Sequence, residues 1–255
     1  MMYWKPLLSV ALLLVPVIGG AQSASKPAGD WTGYAGFGGV SFSRYTGGKA
    51  SEVFPAPILM FEYKETYYVD LMRAGVRLWS SADKKLAFGL VAEPRFGFKA
   101  RDGTRLTGMA ERRNSIEMGP NLEWETPLVS VSLAWFTDLS RASKGSSLRL
   151  SAYRQLINTS RWDVGVFATV EQESARVVNY YFGVPASEVT ATRAAYAPGS
   201  ATHWGLGLQG AWKFSDRHVL MMGVQNTRLG SAAANSPIVE TRNTPVVYLG
   251  LGWTL

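Results

Sequence analysis

The sequence predicts an all-β protein: a transmembrane antiparallel up-and-down β-barrel of ten strands, with twelve strands as the alternative. Three observations predict this fold. Apolar and polar residues alternate over segments of about 10 to 14 residues, which is longer than the usual strand of a soluble sheet. Very short turns alternate with long connections, and aromatic residues gather at the strand ends, as in outer-membrane barrels.

The first residues of the chain are typical of a secretory signal peptide. A lysine precedes an apolar run over residues 7–18, which is too short to span a bilayer as a helix. Small residues follow this run and suit signal peptidase near Ala21. We expect a signal peptide over residues 1–21, with its end uncertain to 24, and an exported barrel domain over 22–255. A retained anchor is the alternative.

Composition excludes several classes of protein. The 255 residues include no cysteine and only two histidines. A disulfide scaffold and a thiol enzyme are therefore excluded, and a multi-histidine metal site is disfavoured. After residue 18 no apolar run approaches the length of a transmembrane helix. We predict no catalytic residue, no cofactor and no metal, and no motif for nucleic-acid binding accompanies the net charge of +7.

Each strand is recognised by its two unlike faces. In "PLVSVSLAWFTD", Val131, Leu133 and Trp135 share one face, and Ser130 and Ser132 share the other. This period of two predicts apolar residues toward lipid and polar residues toward the lumen. Ten regions follow the pattern: 31–45, 57–79, 84–99, 114–125, 127–138, 146–156, 160–172, 202–214, 217–229 and 244–255.

The number of strands is constrained by the chain ends. An exported chain starts in the periplasm and its last strand returns there, so the number is even. The long region 57–79 loses its alternation between Leu71 and Ala74, which one bulged strand explains. Two shorter strands would give eleven, and twelve would result if residues 173–184 also paired.

This assignment also predicts the connections and the aromatic girdles. The outer connections are 46–56, 100–113, 139–145, 173–201 and 230–243, and the periplasmic turns are 80–83, 126, 157–159 and 215–216. In the longest connection, 173–201, Pro185 and Ser187 predict the start of a helix. One girdle is expected beside the turns (Trp79, Trp124, Trp162, Trp212, Phe214 and Trp253) and one beside the loops (Phe98, Trp135 and Trp204).

The chain ends on an alternating strand, "TPVVYLGLGWTL". Its apolar side, which we expect to face lipid, includes Leu249, Leu251, Trp253 and Leu255. Such a terminal strand is similar to the signal that the barrel-assembly machinery recognises, although phenylalanine is usual where this chain has Leu255. We therefore predict that machinery as a partner.

The stretch from residue 179 to 239 contains "YYFGV" at 180–184, "AYAPG" at 195–199, "TRL" at 227–229 and "SPIV" at 236–239. In these pieces the chain resembles the MipA/OmpV family, the MltA-interacting outer-membrane proteins. The earlier "GMAERRNSIEMG" is similar to the family's segment before its fourth strand. It implies an outer-membrane barrel of a Gram-negative bacterium, partnered by a lytic transglycosylase and a peptidoglycan synthase. The family has no agreed catalytic residues. Arg112 and Arg113 stand where acidic residues are expected, and "AAAN" precedes Ser236 without an acid.

The face predicted to point inward carries charges of both signs. We interpret it as a hydrated, salt-bridged interior that closes a narrow lumen; the alternative is a narrow channel for small solutes. The predicted lumen charges are Glu93, Arg95, Glu117, Glu123, Arg149, Asp163, Glu171 and Lys213, with Arg77, Glu125 and Asp138 on the same face. The leading expectation is a non-enzymatic envelope scaffold or surface-interaction protein.

Two further groups of residues are candidates for a site. The first is a set of six basic residues in two predicted outer loops: Arg101, Arg105, Arg112, Arg113, Arg141 and Lys144. They suit the phosphates of lipopolysaccharide, and the simpler alternative is a solvated rim. Ser200 and His203 lie where a loop meets a strand, and outer-membrane acyl hydrolases can use a His–Ser pair. A polar inward histidine needs no catalysis to explain it, and no oxyanion-hole motif is visible. His218 is expected to cap a turn.

Overall fold

A computed structural model describes residues 30–255, which form a closed barrel of twelve antiparallel strands. The predicted signal peptide lies outside the described residues. Neighbouring strands in the chain are neighbours in the barrel, and β1 pairs with β12 to close it. The strands are β1 (Trp31–Ser43), β2 (Ser51–Tyr63), β3 (Tyr67–Asp70), β4 (Arg73–Ser80), β5 (Leu86–Arg95), β6 (Ser115–Glu125), β7 (Ser130–Asp138), β8 (Ser146–Asn158), β9 (Trp162–Glu173), β10 (Ala201–Lys213), β11 (His218–Arg228) and β12 (Asn243–Thr254).

The two faces of the strands are as the alternation predicts. On β7, Leu133 and Trp135 are exposed on the outside, whereas Ser132 and Ala134 are buried inside. On β12, Leu249, Leu251 and Trp253 are each more than half exposed. An exposed apolar belt of this extent suits a lipid surrounding and not water.

Glycine pairs close the seam between the first and last strands. Gly36 lies opposite Gly252, and Gly38 lies opposite Gly250. A Cβ atom on Gly38 would lie 2.1 Å from the carbonyl oxygen of Leu249, so only glycine allows this approach. The inward side of the seam is filled by Ile58 of β2, which is fully buried.

The count of twelve corrects the preferred count of ten and confirms the alternative, but the extra strands are not where they were expected. Residues 173–184 do not pair as a strand; they contain a helix. The region 57–79 instead holds the end of β2, a four-residue β3 and β4. The alternation slips between Leu71 and Ala74 because the chain reverses there, and Asp70 pairs directly with Arg73. The predicted outer connection 46–56 is correspondingly shorter, since β2 begins at Ser51.

The barrel has a turn end with short connections and a loop end with long ones. Short turns face the periplasm in outer-membrane barrels, so we call the loop end outer. The loops carry two helices, α1 (Ala175–Phe182) and α2 (Ser231–Ala234). The helix expected from Pro185 is only a 3-10 turn over Ala186–Glu188. Among the helices of residues 30–255, none is long and apolar enough to cross a membrane.

The outer loops pack into an apolar cap over the barrel mouth, which we call the loop cap. Its buried members come from every long loop except the one between β7 and β8, and they include Tyr45, Leu106, Val177, Phe182 and Ile238. Phe98, predicted for the outer girdle, is buried in this cap and contacts Tyr45. The other predicted girdle residues are exposed on the barrel surface.

Candidate functional site

The lumen beneath the loop cap is crossed by a network of buried ion pairs. Arg95 of β5 lies at its centre: Nε donates to Glu117 Oε1 at 2.7 Å, and Nη2 donates to Glu117 Oε2 at 3.0 Å and to Glu171 Oε1 at 2.9 Å. Its Nη1 donates to Glu173. β5 and β6 are neighbours, whereas β9 is separated from them by β7 and β8, so one guanidinium joins these strands across the lumen.

Two further arginines extend this network along the wall. Arg149 of β8 makes two hydrogen bonds to Glu93, at 2.8 and 2.7 Å, and two to Glu171 Oε2, at 2.9 and 3.1 Å. Arg73 of β4 donates to the same Glu93 at 2.7 Å. We call this set the lumen network: Arg73, Glu93, Arg95, Glu117, Arg149, Glu171, Glu173 and His203.

The strand register explains why the arginines are needed. Glu93 and Glu117 lie directly opposite each other on β5 and β6. Like charges at such a position repel, and buried carboxylates are costly unless they are paired. Arg95 bridges to Glu117, while Arg73 and Arg149 bridge to Glu93. Bidentate arginine–carboxylate pairs are both strong and geometrically specific, so the network holds the strands in one arrangement.

A smaller polar group lies closer to the turn end. Arg77 of β4 donates to Glu123 at 2.6 Å and to Glu62 at 2.9 Å, and its guanidinium lies 4.9 Å from the centre of the Tyr68 ring. Asn121 bonds to Glu123 at 2.8 Å. This group lies in the half of the barrel below the lumen network, so charged pairs cross the interior at two levels.

The structure places all eight predicted lumen charges on the inward face, but only some of them come together. Glu93, Arg95, Glu117, Arg149 and Glu171 share the lumen network, and Glu123 joins the smaller group. Asp163 bonds to Gln155 near the turn end, and Lys213 lies there over the Tyr34 ring. These two take no part in the network.

Three members of the network were missed from the sequence. Glu173 lies two residues after Glu171 and therefore on the same face, but the predicted strand ended at 172. Arg73 lies in the slip of region 57–79, where its face could not be assigned. His203 was identified as inward, but its partner on another strand was not predicted. The alternation of inward and outward residues was therefore enough to place Glu173 on the inward face with Glu171.

His203 is buried and its two ring nitrogens face other groups. Its Nε2 lies 3.1 Å from Glu173, and its Nδ1 accepts a hydrogen bond from the Gly230 backbone N–H at 3.1 Å. Ser200 is exposed in the loop. The geometry therefore gives His203 a place in the lumen network and does not bring it to Ser200 as a catalytic base. His218 does take part in a turn, where its backbone N–H donates to Ser215 Oγ at 3.0 Å.

Two small cavities lie inside the barrel. A cavity of about 10 Å³ lies among Arg95, Glu173, Phe182 and His203, and another of about 10 Å³ lies beside Leu71 and Tyr248. Each has room for about one water molecule. Among residues 30–255, no group of three or more His, Cys, Asp or Glu side chains is placed to hold a metal ion.

Arg112 is not part of an exposed basic rim, which corrects the prediction for this residue. It is buried in the loop cap and binds Glu188 through two bonds, at 3.0 and 2.8 Å, and the Tyr180 carbonyl at 2.8 Å. The partner comes from a loop 76 residues further along the chain. Arg101, Arg105, Arg113, Arg141 and Lys144 are exposed, and Arg105 also donates to the carbonyls of Pro237 and Val239.

Neutralising Glu188 should loosen the loop cap. Burial alone would raise the pKa of Glu188, but hydrogen bonds from Arg112 and the Ala110 N–H outweigh it and hold the pKa below its usual range. Because the pKa of Glu188 is lower in the folded protein than in the unfolded one, its ionised carboxylate contributes to folding stability. This contribution is complete above the unfolded-state pKa of about 4.3, and it is lost as pH falls through the folded-state pKa.

We expect Glu188→Gln to accelerate amide hydrogen exchange in segments 104–113 and 185–196 at neutral pH. After correction for intrinsic exchange rates, the exchange of the unmodified protein in these segments should approach that of the variant as pH falls below about 4. Glu111→Gln is the matched control, because Glu111 is exposed and pairs with Lys99 at 3.5 Å. Equal exchange in all three proteins at pH 7 would contradict the role given to Glu188.

A family model described as "MltA-interacting protein MipA" matches residues 35–255 of this barrel. The chain belongs to the MipA family. This confirms the resemblance found in the sequence and, with the closed barrel, a location in the outer membrane. The match covers almost all of the described barrel, from early β1 to Leu255.

Two curated relatives of this MipA-family chain are outer-membrane proteins of Vibrio. It is 35% identical over 136 residues to "Outer membrane protein Omp26La" of Vibrio anguillarum, covering 53% of this chain and 52% of that protein. It is 32% identical over 136 residues to "Outer membrane protein OmpV" of Vibrio cholerae serotype O1, with the same coverage. The chain thus spans about half the length of the curated relatives it matches.

Solved structures resemble this MipA-family barrel only distantly. The N-terminal β-barrel domain of Pseudomonas aeruginosa OprF matches with a TM-score of 0.27 and 11% identity, covering 55% of this chain and 88% of that one. A Pseudomonas aeruginosa FadL homologue matches with a TM-score of 0.36 and 12% identity, covering 88% and 77%.

Proposed function

We propose that this protein is a non-conducting, non-enzymatic outer-membrane barrel that serves as an envelope scaffold. The buried ion pairs that cross the lumen beneath the loop cap are the observation that carries the proposal. The loop cap covers the outer mouth, and the lumen network joins β4, β5, β6, β8, β9 and β10 beneath it. A channel for small solutes, the alternative, would need a continuous polar path past these ion pairs.

The family description supports a periplasmic partner. The matched model is named for an interaction with MltA, and we carry that relation to this chain as a proposal: it binds a peptidoglycan-remodelling enzyme of that class. The turn end is the part of the barrel that such an enzyme can reach. Stable interfaces usually bury about 1,000 Å² or more, so several turns must act together.

Two turns offer a charged surface at this end. The β2–β3 turn contains Lys64 and Glu65, and the β4–β5 turn contains Asp83, Lys84 and Lys85. Lys84 forms an ion pair with Glu65, so the two turns lie side by side. The short β3–β4 hairpin lies between them, so one continuous patch is formed by two turns that are separate in sequence.

Conductance and cross-linking together test the proposal. Purified, refolded protein should produce no steady conductance in planar bilayers. A photo-cross-linking amino acid at position 84 should capture a lytic transglycosylase in cells. The matched control is position 192, which is exposed in the outer loop before β10. Steady conductance that is abolished by Glu123→Gln or Arg149→Gln would overturn the scaffold in favour of the channel. Equal capture of the enzyme at positions 84 and 192 would contradict the proposal that the turn end binds a periplasmic partner.

A further inference from the structure

The barrel wall has a window above the β3–β4 hairpin. β1 pairs with β2 along its whole length, but β3 pairs only with residues 60–63 of β2. β4 pairs with β5 up to residue 92. In the described part of the chain, residues 51–58 therefore have a strand neighbour on one side only. The wall window is bounded by these residues, by the hairpin tip at 71–72 and by residues 94–98.

Prolines mark both sides of the wall window. Leu71 N–H donates to the Leu59 carbonyl, so Leu59 points its backbone groups away from β1. Alternate residues point the same way, which places Pro55 and Pro57 with their backbone nitrogens toward the window. Without these prolines, the edge would present unpaired N–H donors to hydrocarbon, each at a cost of several kcal/mol.

On the opposite side of the window, a proline of β5 also points its backbone nitrogen toward the window. Ile116 of β6 directs its N–H to Ser140 and its carbonyl to Leu139, both on the side of β7. Pro94 lies opposite Ile116, so its nitrogen points away from β6 and toward the window. Three prolines thus remove three donors from the two edges, which lowers the cost of leaving these edges unpaired in hydrocarbon.

An apolar cluster fills much of the interior behind the wall window. Ile58 is fully buried there in a cluster with Val40, Met221 and Tyr248, and Leu71 and Phe96 pack against it from the tip and from β5. The lumen network instead lies along β4–β10, so no ion pair of that network crosses this side. Leu71 has a φ of 54°, a left-handed conformation that is unfavourable for leucine, and it lines the second small cavity.

The window opens in the outer half of the membrane. A four-residue strand rises about 14 Å along its axis, or about 10 Å along the membrane normal once it is tilted. The apolar band of such barrels is about 25 Å tall, so the hairpin tip lies below its middle. The chains that meet the window are therefore those of outer-leaflet lipids.

The two loops above the wall window are basic. Segments 44–50 and 96–114 together contain seven arginines and lysines and two acidic residues. They meet over the window, where Tyr45 contacts Phe98 at 6.3 Å between ring centres. Arg112 is committed to Glu188, but Lys49, Arg101 and Arg113 are exposed. These cations suit phosphate groups attached to the same lipid whose chain reaches the window.

We propose that the wall window binds an acyl chain of lipopolysaccharide, with the basic loops above it holding the phosphates of the same molecule. The chain lies along these proline-containing edges and contacts Leu71 and Phe96, which are half-buried beside the window. The proposal does not depend on the scaffold function, because it concerns the wall and the outer loops and not the turn end.

Photo-cross-linking in intact outer membranes tests this site. A photoreactive amino acid at position 72, or at position 53 on the free edge of β2, should form lipopolysaccharide adducts several-fold more strongly than one at position 206. All three side chains are exposed on the barrel surface, but Leu206 lies on a strand that is paired on both sides. Heat-modifiable gel migration confirms that each variant is folded.

A loop variant tests the phosphate contacts. Lys49→Ser with Arg101→Ser should lower the adduct at position 72 severalfold and leave the adduct at position 206 unchanged. Equal labelling at 72, 53 and 206 would overturn the site. Labelling at 72 that is dominated by phospholipid in membranes containing both lipids would overturn lipopolysaccharide as the occupant.

Discussion

Replacing Arg95 with methionine should destabilise the barrel by about 3–5 kcal/mol, which is the usual effect of removing one partner of a buried ion pair. The variant leaves Glu117, Glu171 and Glu173 without the guanidinium that all three share. All of these side chains are almost fully buried, so water cannot replace the lost hydrogen bonds. The free energy of unfolding is measured by urea titration of the refolded protein in detergent micelles, followed by tryptophan fluorescence.

Lys213→Met is the matched control for this change. Lys213 also points inward and carries one positive charge, but it lies near the turn end over the Tyr34 ring. We expect it to cost less than about 1 kcal/mol, as for a partly exposed charge. If Arg95→Met unfolds at the same urea concentration as Lys213→Met, the lumen network does not hold the strands together.

Leu133→Arg should cost about 2–4 kcal/mol, because a charge at the middle of the lipid-facing surface must leave water. Leu133 lies near the centre of β7, is 41% exposed, and has Leu122 and Leu150 as its neighbours across the sheet. The same urea titration, carried out in liposomes that impose a real hydrocarbon core, measures the effect. Val166→Arg on β9 should behave in the same way.

Leu133→Ala separates the charge from the loss of the side chain. It removes the same leucine without adding a charge, and it should cost clearly less than the arginine. Equal costs for the two substitutions would mean that Leu133 packs against protein and not lipid, and that the inward and outward faces have been interchanged.

Much of the fold was predictable because a lipid surrounding imposes a local pattern. A strand in a barrel wall has one side in hydrocarbon and one in the lumen, so every second residue must be apolar. Leu133, Trp204 and Leu251 follow this rule without reference to any distant residue, and their exposure confirms it. The inward charges were predictable for the same reason, since Glu93 and Arg149 occupy the alternate positions.

The hairpin of β3 and β4 was not predictable from alternation. β3 has four residues, too few for a period of two to be distinguished from chance. Leu71 at the turn is not a residue that favours its left-handed conformation, so the usual turn signal is also missing. The slip in alternation was a true signal of reversal, but a bulge explained it equally well.

By itself, the sequence determined the barrel class, the lipid-facing residues, the closing C-terminal strand and the family, because each of these is a local pattern or a sequence likeness. Only the tertiary structure decided which charges meet. Arg112 was assigned to the rim from its loop, but it is buried because Glu188 lies 76 residues away in the chain and beside it in space. The same holds for Arg95 with Glu173, and for the wall window between β2 and β5. Partners for buried charges, and gaps between strands, depend on chain segments that are distant in sequence, so no local period can specify them.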